Sequence, residues 1–220
     1  MIIVHHLENS RSQRVLWMLE ELGAPYEVKR YERNKQTMLA PPELRALHPL
    51  GKSPVIEDDG VIYAETGAIL EHLLATHGGG RLVPETEQER RKQTYWLHYA
   101  EGSAMTPLLL KLIFDVMPQR AGGLMKPLVN AVSSRAKAAM VVPQLKAHMA
   151  FWEGELAATG GFAGAELSAA DVMMSFPLEA AAARAGLADG HPRCMAFLQR
   201  IHARPAYQRA LARGGPYAYA

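Results

Sequence analysis

Cysteine is nearly absent from the 220-residue chain, in which Cys194 is the only one. A lone thiol excludes an internal disulfide and any metal site built on several cysteines. An excess of one charge is also lacking, because 24 Lys and Arg against 22 Asp and Glu leave a net charge of +2. The basic residues are scattered, so the charge pattern argues against nucleic acid as a partner.

Long apolar runs are missing as well. The opening segment MIIVHHLENSRSQR has neither the basic region nor the apolar stretch of a secretory signal. The most apolar later run, residues 105–114, contains Lys111 and is too short to span a bilayer. What the chain does have is ordinary: 49% hydrophobic and 21% charged residues. We therefore expect a globular cytoplasmic protein with a substantial core and no membrane partner.

The first 80 residues alternate between strand-like and helical patterns. Alternating or continuous apolar stretches predict strands, and apolar residues three and four apart predict helices. Gly23 predicts the end of the first helix, and Asp58-Asp59-Gly60 predicts a hairpin turn. The predicted order is β-α-β-α-β-β-α, with elements at 2–7, 12–22, 26–31, 42–47, 54–57, 61–63 and 65–76.

Composition changes near residue 80, beyond which the chain is rich in Ala, Leu and Met and reads as helical. Gly78 to Gly80 and Pro84 have the composition of a linker. We therefore divide the chain into a domain at 1–78, a linker at 79–85 and a domain at 86–220.

Four helical stretches are predicted in the second domain, near 86–117, 127–157, 168–186 and 192–212. Pro107 is expected to bend the first of them. Ser168 and Asp171 have the spacing of a capping box at the start of the third. We interpret this carboxylate–hydroxyl pair as structural and not as part of a site.

Five separated strings carry a family resemblance. They are NSRSQRVLWMLEELG, HPLGKSPVIEDDG, YAETGAILEHL, LSAADV and HARPAY. In this order and spacing, the strings make the chain resemble the cytosolic glutathione S-transferase superfamily. The resemblance extends from residue 2 to 207 and is to a serine-type branch like those of bacteria and fungi. The resemblance implies an α/β plus all-α fold. A thioredoxin-like domain would bind glutathione, and the helical domain would contribute the pocket of the second substrate.

A glutathione site needs a group that favours thiolate over thiol, whose ordinary pKa is about 8.5. A hydroxyl donor at a helix N-terminus supplies a hydrogen bond and the positive end of the helix dipole. The resemblance favours Ser10 as this catalytic hydroxyl, with Ser12 as its rival. The same residues also fit a simple capping box, with Ser10 as the cap and Gln13 reaching back.

The resemblance also implies the residues that hold the peptide. Lys52 would meet a carboxylate, the backbone of Ser53 before a cis-Pro54 would meet the cysteinyl part, and Glu65 with Thr66 would meet the γ-glutamyl end. Each has an ordinary alternative, since a lone lysine is usually solvated and an acidic residue is favoured in a first helical turn. His48 and Arg11 are further glutathione candidates, and Arg14 fits either an anion or a neighbouring glutamate.

The second-substrate pocket is expected along an apolar stretch of the helical domain. Its candidate residues, which equally fit an ordinary core stripe, are Tyr99, Met105, Leu108 and Leu109. The resemblance further implies a homodimer in which Glu101 reaches the glutathione of the neighbouring subunit. The nine histidines show no HExxH or comparable ligand motif, and no metal is predicted.

The resemblance implies a glutathione S-transferase acting in detoxification. Glutathione would be its co-substrate and would attack a small, apolar electrophile. The first loop has no cysteine, which disfavours thiol–disulfide exchange through a protein thiol. The alternatives are a non-catalytic glutathione-binding regulator or carrier, and a glutathione-dependent isomerase or peroxidase. The sequence does not distinguish among these activities.

Overall fold

The computed structural model describes residues 1–219. Its first part has the predicted element order β-α-β-α-β-β-α, which confirms the thioredoxin-like expectation. The elements are β1 (Ile2–Leu7), α1 (Ser12–Leu22), β2 (Tyr26–Tyr31), α2 (Pro42–Leu47), β3 (Val55–Asp58), β4 (Val61–Ala64) and α3 (Thr66–His77).

The four strands form one mixed sheet in the order β2-β1-β3-β4. Strand β1 runs parallel to β2, with Val4 opposite Val28, and antiparallel to β3, with Val4 opposite Ile56. Strands β3 and β4 are joined by the predicted tight turn, in which Gly60 has φ 82°. The antiparallel pairing of β3 with β1 brings the start of β3 beside the end of β1, where the candidate site residues lie.

The second part is helical. Its helices are α4 (Glu87–Tyr99), α5 (Met105–Arg120), α6 (Lys126–Ala136), α7 (Val142–Thr159), α8 (Ala169–Arg184), α9 (Pro192–His202) and α10 (Pro205–Gly214). In the described chain no helix is both long enough and apolar enough to cross a membrane.

Three of the four predicted helical stretches are subdivided in ways the apolar pattern does not show. π-Helical turns at Ala100–Ala104 and Lys137–Val141 interrupt the first two, each shortly before a proline, Pro107 or Pro143. Because a proline lacks its amide proton and clashes with the carbonyl four residues earlier, a widened turn accommodates it. The distortion expected at Pro107 therefore lies just before it.

The last stretch, predicted near 192–212, is two helices. Arg204 between them has an extended backbone, with φ −67° and ψ 133°. The following residue is Pro205, and the residue before a proline avoids the helical region because of the proline ring. The chain therefore turns here, and α10 packs back against α1.

One hydrophobic core joins the two parts of the chain. Helix α1 lies between the sheet and the helical domain, and its Trp17 is fully buried with the ring of Tyr207 edge-on at 5.3 Å. The Trp17 indole N–H donates to Glu21, which also accepts two hydrogen bonds from Arg204. Helix α1 is thus held from both sides, which fixes the loop that precedes it.

Candidate functional site

A cleft of about 160 Å³ opens where the first domain faces the helical domain. It gathers residues from the loop before α1, the loop between α2 and β3, the start of α3 and the first π-helical turn. Its lining consists of Arg11, His48, Leu50, Lys52, Ser53, Pro54, Ala64, Glu65, Thr66 and Glu101. All seven residues predicted to hold glutathione are in this set, although neither Ser10 nor Ser12 is.

The loop after α2 forms one wall of the cleft. His48 ends α2, and its carbonyl accepts the amide of Gly51, whose φ of 56° turns the chain. The exposed Lys52 follows, and the Ser53–Pro54 peptide bond is cis, as the resemblance implied. This wall therefore presents one cation and a short stretch of main chain.

Ser53 fastens this wall to strand β1. Its hydroxyl donates to the His5 carbonyl at 3.0 Å and accepts the Leu7 amide at 3.3 Å. Its Oγ also lies 3.4 Å from the Oγ of Ser10. Since the Ser53 side chain is engaged with β1, its backbone is the part left to face the cleft.

Glu65 and Thr66 form the opposite wall at the N-terminus of α3. Thr66 is buried in the first turn, and the Glu65 side chain is exposed. Glu65 has φ 70°, which is costly for a residue with a side chain, by roughly 1–3 kcal/mol. Such strain concentrates at ligand-binding positions. The arrangement places one carboxylate and one hydroxyl beside the free amides of a helix end.

The two candidate hydroxyls are linked in a chain that runs inward from the cleft. Ser10 Oγ lies 2.7 Å from Ser12 Oγ, which lies 2.8 Å from His6 Nδ1. Ser12 is 0% exposed, whereas Ser10 is 6% exposed and lies next to the cleft residue Ser53. Ser10 is therefore the better placed of the two to meet a bound sulfur.

The buried end of this chain is an uncharged histidine. Burial, reinforced by Arg30, lowers the pKa of His6 to about 4, so the imidazole is neutral at pH 7. One of its ring nitrogens accepts and the other donates. The backbone of Gly214 accepts from His6, which leaves Nδ1 to accept from the Ser12 hydroxyl. The Ser10 hydroxyl then donates either to Ser12 or to Ser53 at the edge of the cleft.

The capping-box alternative for Ser10 is realised only in part. The Ser10 hydroxyl accepts the amide of Ser12 at 3.3 Å, as a helix-start residue does. The Gln13 side chain does not reach back, because both of its polar atoms are buried without a hydrogen-bond partner in residues 1–219. Capping and thiolate binding at Ser10 are therefore compatible.

A salt-bridge cluster, consisting of Arg11, Arg14 and Glu101, closes the helical-domain side of the cleft. Glu101 Oε1 accepts from Arg11 Nε at 3.0 Å and from Arg14 Nη1 at 2.6 Å. Both guanidinium groups also lie over the ring of Phe176, at 5.4 and 5.2 Å. Arg14 is thus the partner of a glutamate, one of the two roles its position allowed.

Charge at this cluster favours the ionised carboxylate. Burial of Glu101 would raise its pKa, but the opposing attraction of Arg14 and Arg11 holds that pKa below its ordinary value. The Glu101 carboxylate is thus already engaged twice within its own chain. Its role toward a neighbouring subunit's glutathione stays a prediction.

The residues predicted to line the second-substrate pocket do not border this cleft. Tyr99, Met105 and Leu108 are buried in the core, and the Tyr99 hydroxyl accepts the indole N–H of Trp152 at 3.0 Å. Leu109 is half exposed on the outer side of α5. The geometry thus favours a core role for Tyr99, Met105 and Leu108. None of the four candidates contacts the cleft, so no contact supports their role in the second-substrate pocket.

Sequence reasoning missed two apolar residues of the cleft and the pairing of Glu101 with two arginines. Leu50 and Ala64 are lining residues, and neither carried a chemical signal in the sequence. Glu101 meets Arg11 and Arg14 across some 90 positions of the chain, a contact that no local pattern predicts. The sequence allowed a glutamate partner for Arg14 but did not indicate which glutamate it would be.

Comparisons with known proteins agree with this arrangement. The family models described as "Glutathione S-transferase, N-terminal domain" and "Glutathione S-transferase, C-terminal domain" match residues 10–76 and 129–200. The chain is 38% identical to Glutathione S-transferase 3 of Schizosaccharomyces pombe, over 82% of this chain and 74% of that protein. It is 33% identical to Glutathione S-transferase 1 of Saccharomyces cerevisiae, over 94% and 92%.

Solved structures show the same architecture. A glutathione S-transferase from Actinobacillus pleuropneumoniae superposes with a TM-score of 0.77 at 30% identity, covering 97% of this chain and 93% of that one. A theta class enzyme from Xanthomonas axonopodis pv. citri, with glutathione bound, has a TM-score of 0.74 at 23% identity, covering 95% and 96%. Both domain matches in order, with relatives 33% and 38% identical, show that this protein belongs to the glutathione S-transferase family.

Proposed function

We propose that this glutathione transferase holds the glutathione thiolate at Ser10 and directs it onto a small, apolar electrophile. The observation that carries the proposal is the cleft itself. Around cis-Pro54 it brings together a cation at Lys52, main chain at Ser53, and the Glu65–Thr66 pair at a helix N-terminus. These groups complement the carboxylates, peptide backbone and ammonium of glutathione.

The chemistry would proceed in two steps. The thiol gives its proton to solvent, and the thiolate is stabilised by the Ser10 hydroxyl and by the positive end of α1. The sulfur then forms a bond to an electrophilic carbon, while the electron pair of the breaking bond leaves with the departing group. No protein atom becomes covalently attached, so rate acceleration comes from positioning and a lowered thiol pKa.

Glutathione affinity tests the peptide part of the site. We expect Glu65→Gln to weaken binding about tenfold, because it removes the carboxylate opposite the γ-glutamyl ammonium, a loss of roughly 1.4 kcal/mol. Isothermal titration calorimetry with glutathione measures this change in affinity. The matched control is Glu71→Gln, which changes an exposed glutamate farther along α3. Equal affinity of both variants would remove Glu65 from the site.

The reaction class is tested separately with a panel of electrophiles and hydroperoxides. Conjugation supports the transferase, while turnover confined to hydroperoxides or isomerisable substrates would support the related peroxidase or isomerase. Binding of glutathione without turnover of any substrate would favour a regulator or carrier. A role in cytoplasmic detoxification is part of the same proposal and depends on which electrophiles are consumed.

A homodimer completes the proposal, supported by an exposed apolar stripe on the helical domain. Leu109, Ile113 and Met117 recur every four residues on α5, and Leu128 and Val132 do so on α6, with exposed fractions between 41% and 60%. Residues four apart share a helix face. Light scattering should give twice the chain mass of 24.2 kDa, and Ile113→Asp should halve it. A monomeric wild-type protein would contradict this.

A further inference from the structure

A second cluster of polar side chains lies away from the cleft, where β3 and α3 end. Asp58 is the last residue of β3, and His72 and His77 lie in the second half of α3. Nε2 of each histidine is 2.8 Å from the same oxygen, Oδ2 of Asp58. Three potential ligand atoms, one from each residue, lie within 4.8 Å of one another.

We propose that Asp58, His72 and His77 bind one divalent transition-metal ion such as Zn²⁺. One carboxylate and two imidazoles form a donor set used by zinc sites that keep a coordination position open. Tetrahedral zinc with bonds near 2.0–2.1 Å holds its ligand atoms roughly 3.3 Å apart. The two separations from Asp58 Oδ2, each 2.8 Å, need to widen by about half an ångström, and the two Nε2 atoms, which lie within 4.8 Å of each other, need to reach the same spacing.

The surroundings are suited to such an ion. Asp58 is 7% exposed, and its second oxygen, Oδ1, is buried with no hydrogen-bond partner in residues 1–219. A buried carboxylate oxygen without a partner is costly, and a cation would compensate it. The ring of Tyr63 stacks on His72 with centroids 3.8 Å apart, which fixes that imidazole.

The cluster is also accessible to an ion and to water from solvent. His72 and His77 are 16% and 29% exposed, so water reaches the histidine side of the cluster. An ion entering there takes the place of the hydrogen bonds that now join each Nε2 to the carboxylate. Water would fill the remaining coordination position.

The cluster is separate from the glutathione cleft. Asp58 lies four residues past Pro54, roughly 13 Å along an extended strand. His77 lies eleven residues past Thr66, roughly 16 Å along a helix. The two histidines have four residues between them, a spacing that zinc sites do use, but the third ligand comes from a strand 14 positions earlier. A histidine pair alone is a weak signal, and the contact of both with Asp58 depends on the fold, so the sequence predicted no metal.

Titration of the chelator-treated, untagged full-length protein with Co²⁺, in the absence of glutathione, tests the proposal. We expect one equivalent to bind with the visible absorption of a four- or five-coordinate site, and Zn²⁺ to displace it. Because Cys194 is buried, it does not compete. Zn²⁺ at 100 times its Kd should raise the midpoint of thermal unfolding by roughly 6 °C.

Two variants assign the site. His77→Gln, at the most exposed of the three positions, should weaken binding at least roughly 100-fold while the protein stays folded. His98→Gln, an exposed histidine on α4, is the matched control and should bind like the wild type. Absence of a stoichiometric Co²⁺ spectrum, or equal affinity of the two variants, would overturn the proposal. If His77→Gln misfolds, His72→Asn provides the same comparison.

Discussion

Replacing Ser10 with alanine is expected to lower turnover at neutral pH roughly 10- to 150-fold. A hydrogen bond to a charged group contributes about 1.5–3 kcal/mol, and Ser10→Ala removes the one donated to the thiolate. The same energy should raise the pKa of the bound thiol by about 1–2 units, toward 8.5. Thiolate absorbance followed against pH in the glutathione complex measures the pKa directly.

The direction of the pH effect and the control variants follow from the hydrogen bonds that link Ser10, Ser12 and His6. Since the wild-type site favours thiolate, its activity should persist to lower pH, and the variant should recover activity as pH rises. Ser10→Thr keeps a hydroxyl and should retain most of the lowering of the thiol pKa. Ser12→Ala, which changes the fully buried neighbour, should leave the thiol pKa closer to wild type. A large rise in Ser12→Ala with none in Ser10→Ala would assign the role to Ser12.

Replacing Asp171 with alanine should destabilise the fold by about 3–5 kcal/mol. Asp171 is 1% exposed, and its carboxylate accepts the amides of Phe162 at 2.9 Å and Ser168 at 2.8 Å, and the Ser168 hydroxyl at 3.0 Å. Alanine leaves these buried donors without an acceptor, and each such group costs about 1–3 kcal/mol. Urea unfolding of the glutathione-free protein measures the difference.

The matched control for this prediction is Asp189→Ala, at an exposed position in the loop between α8 and α9. Surface changes of this kind stay within about 0.5 kcal/mol. The pKa of Asp171 is raised by its burial, although its donors oppose that effect. A loss below about 1 kcal/mol in Asp171→Ala would show that the capping box is not a principal support of the helical domain.

The first domain was predictable because its signals are local. The alternation of 26–31, the stop at Gly23 and the turn at Asp59-Gly60 each act within a few residues, and the structure has each element within two residues of the predicted bounds. The helical domain was predicted only coarsely. Its π-helical turns lie where a helix continues through a proline, and the spacing of apolar residues does not predict whether the helix continues or ends there.

In the candidate site, too, residues set by local sequence were predicted and residues set by domain packing were not. Lys52, Ser53, Glu65 and Thr66 were found from motifs, because the motif positions and the fold are linked through β3 and α3. The pairing of Glu101 with Arg11 and Arg14 was not found, because it depends on how the two domains pack. The apolar stripe containing Leu109 had the same periodicity whether it faced a pocket, the core or solvent.

The central claim is that glutathione lies in the cis-Pro54 cleft with its sulfur at Ser10, and a crystal structure of the glutathione complex tests it most directly. The account predicts the sulfur within hydrogen-bonding distance of Ser10 Oγ, the cysteinyl backbone against Ser53, and the γ-glutamyl ammonium at Glu65. A peptide bound away from Pro54 and Glu65, or a sulfur that no serine of the α1 loop approaches, would contradict it.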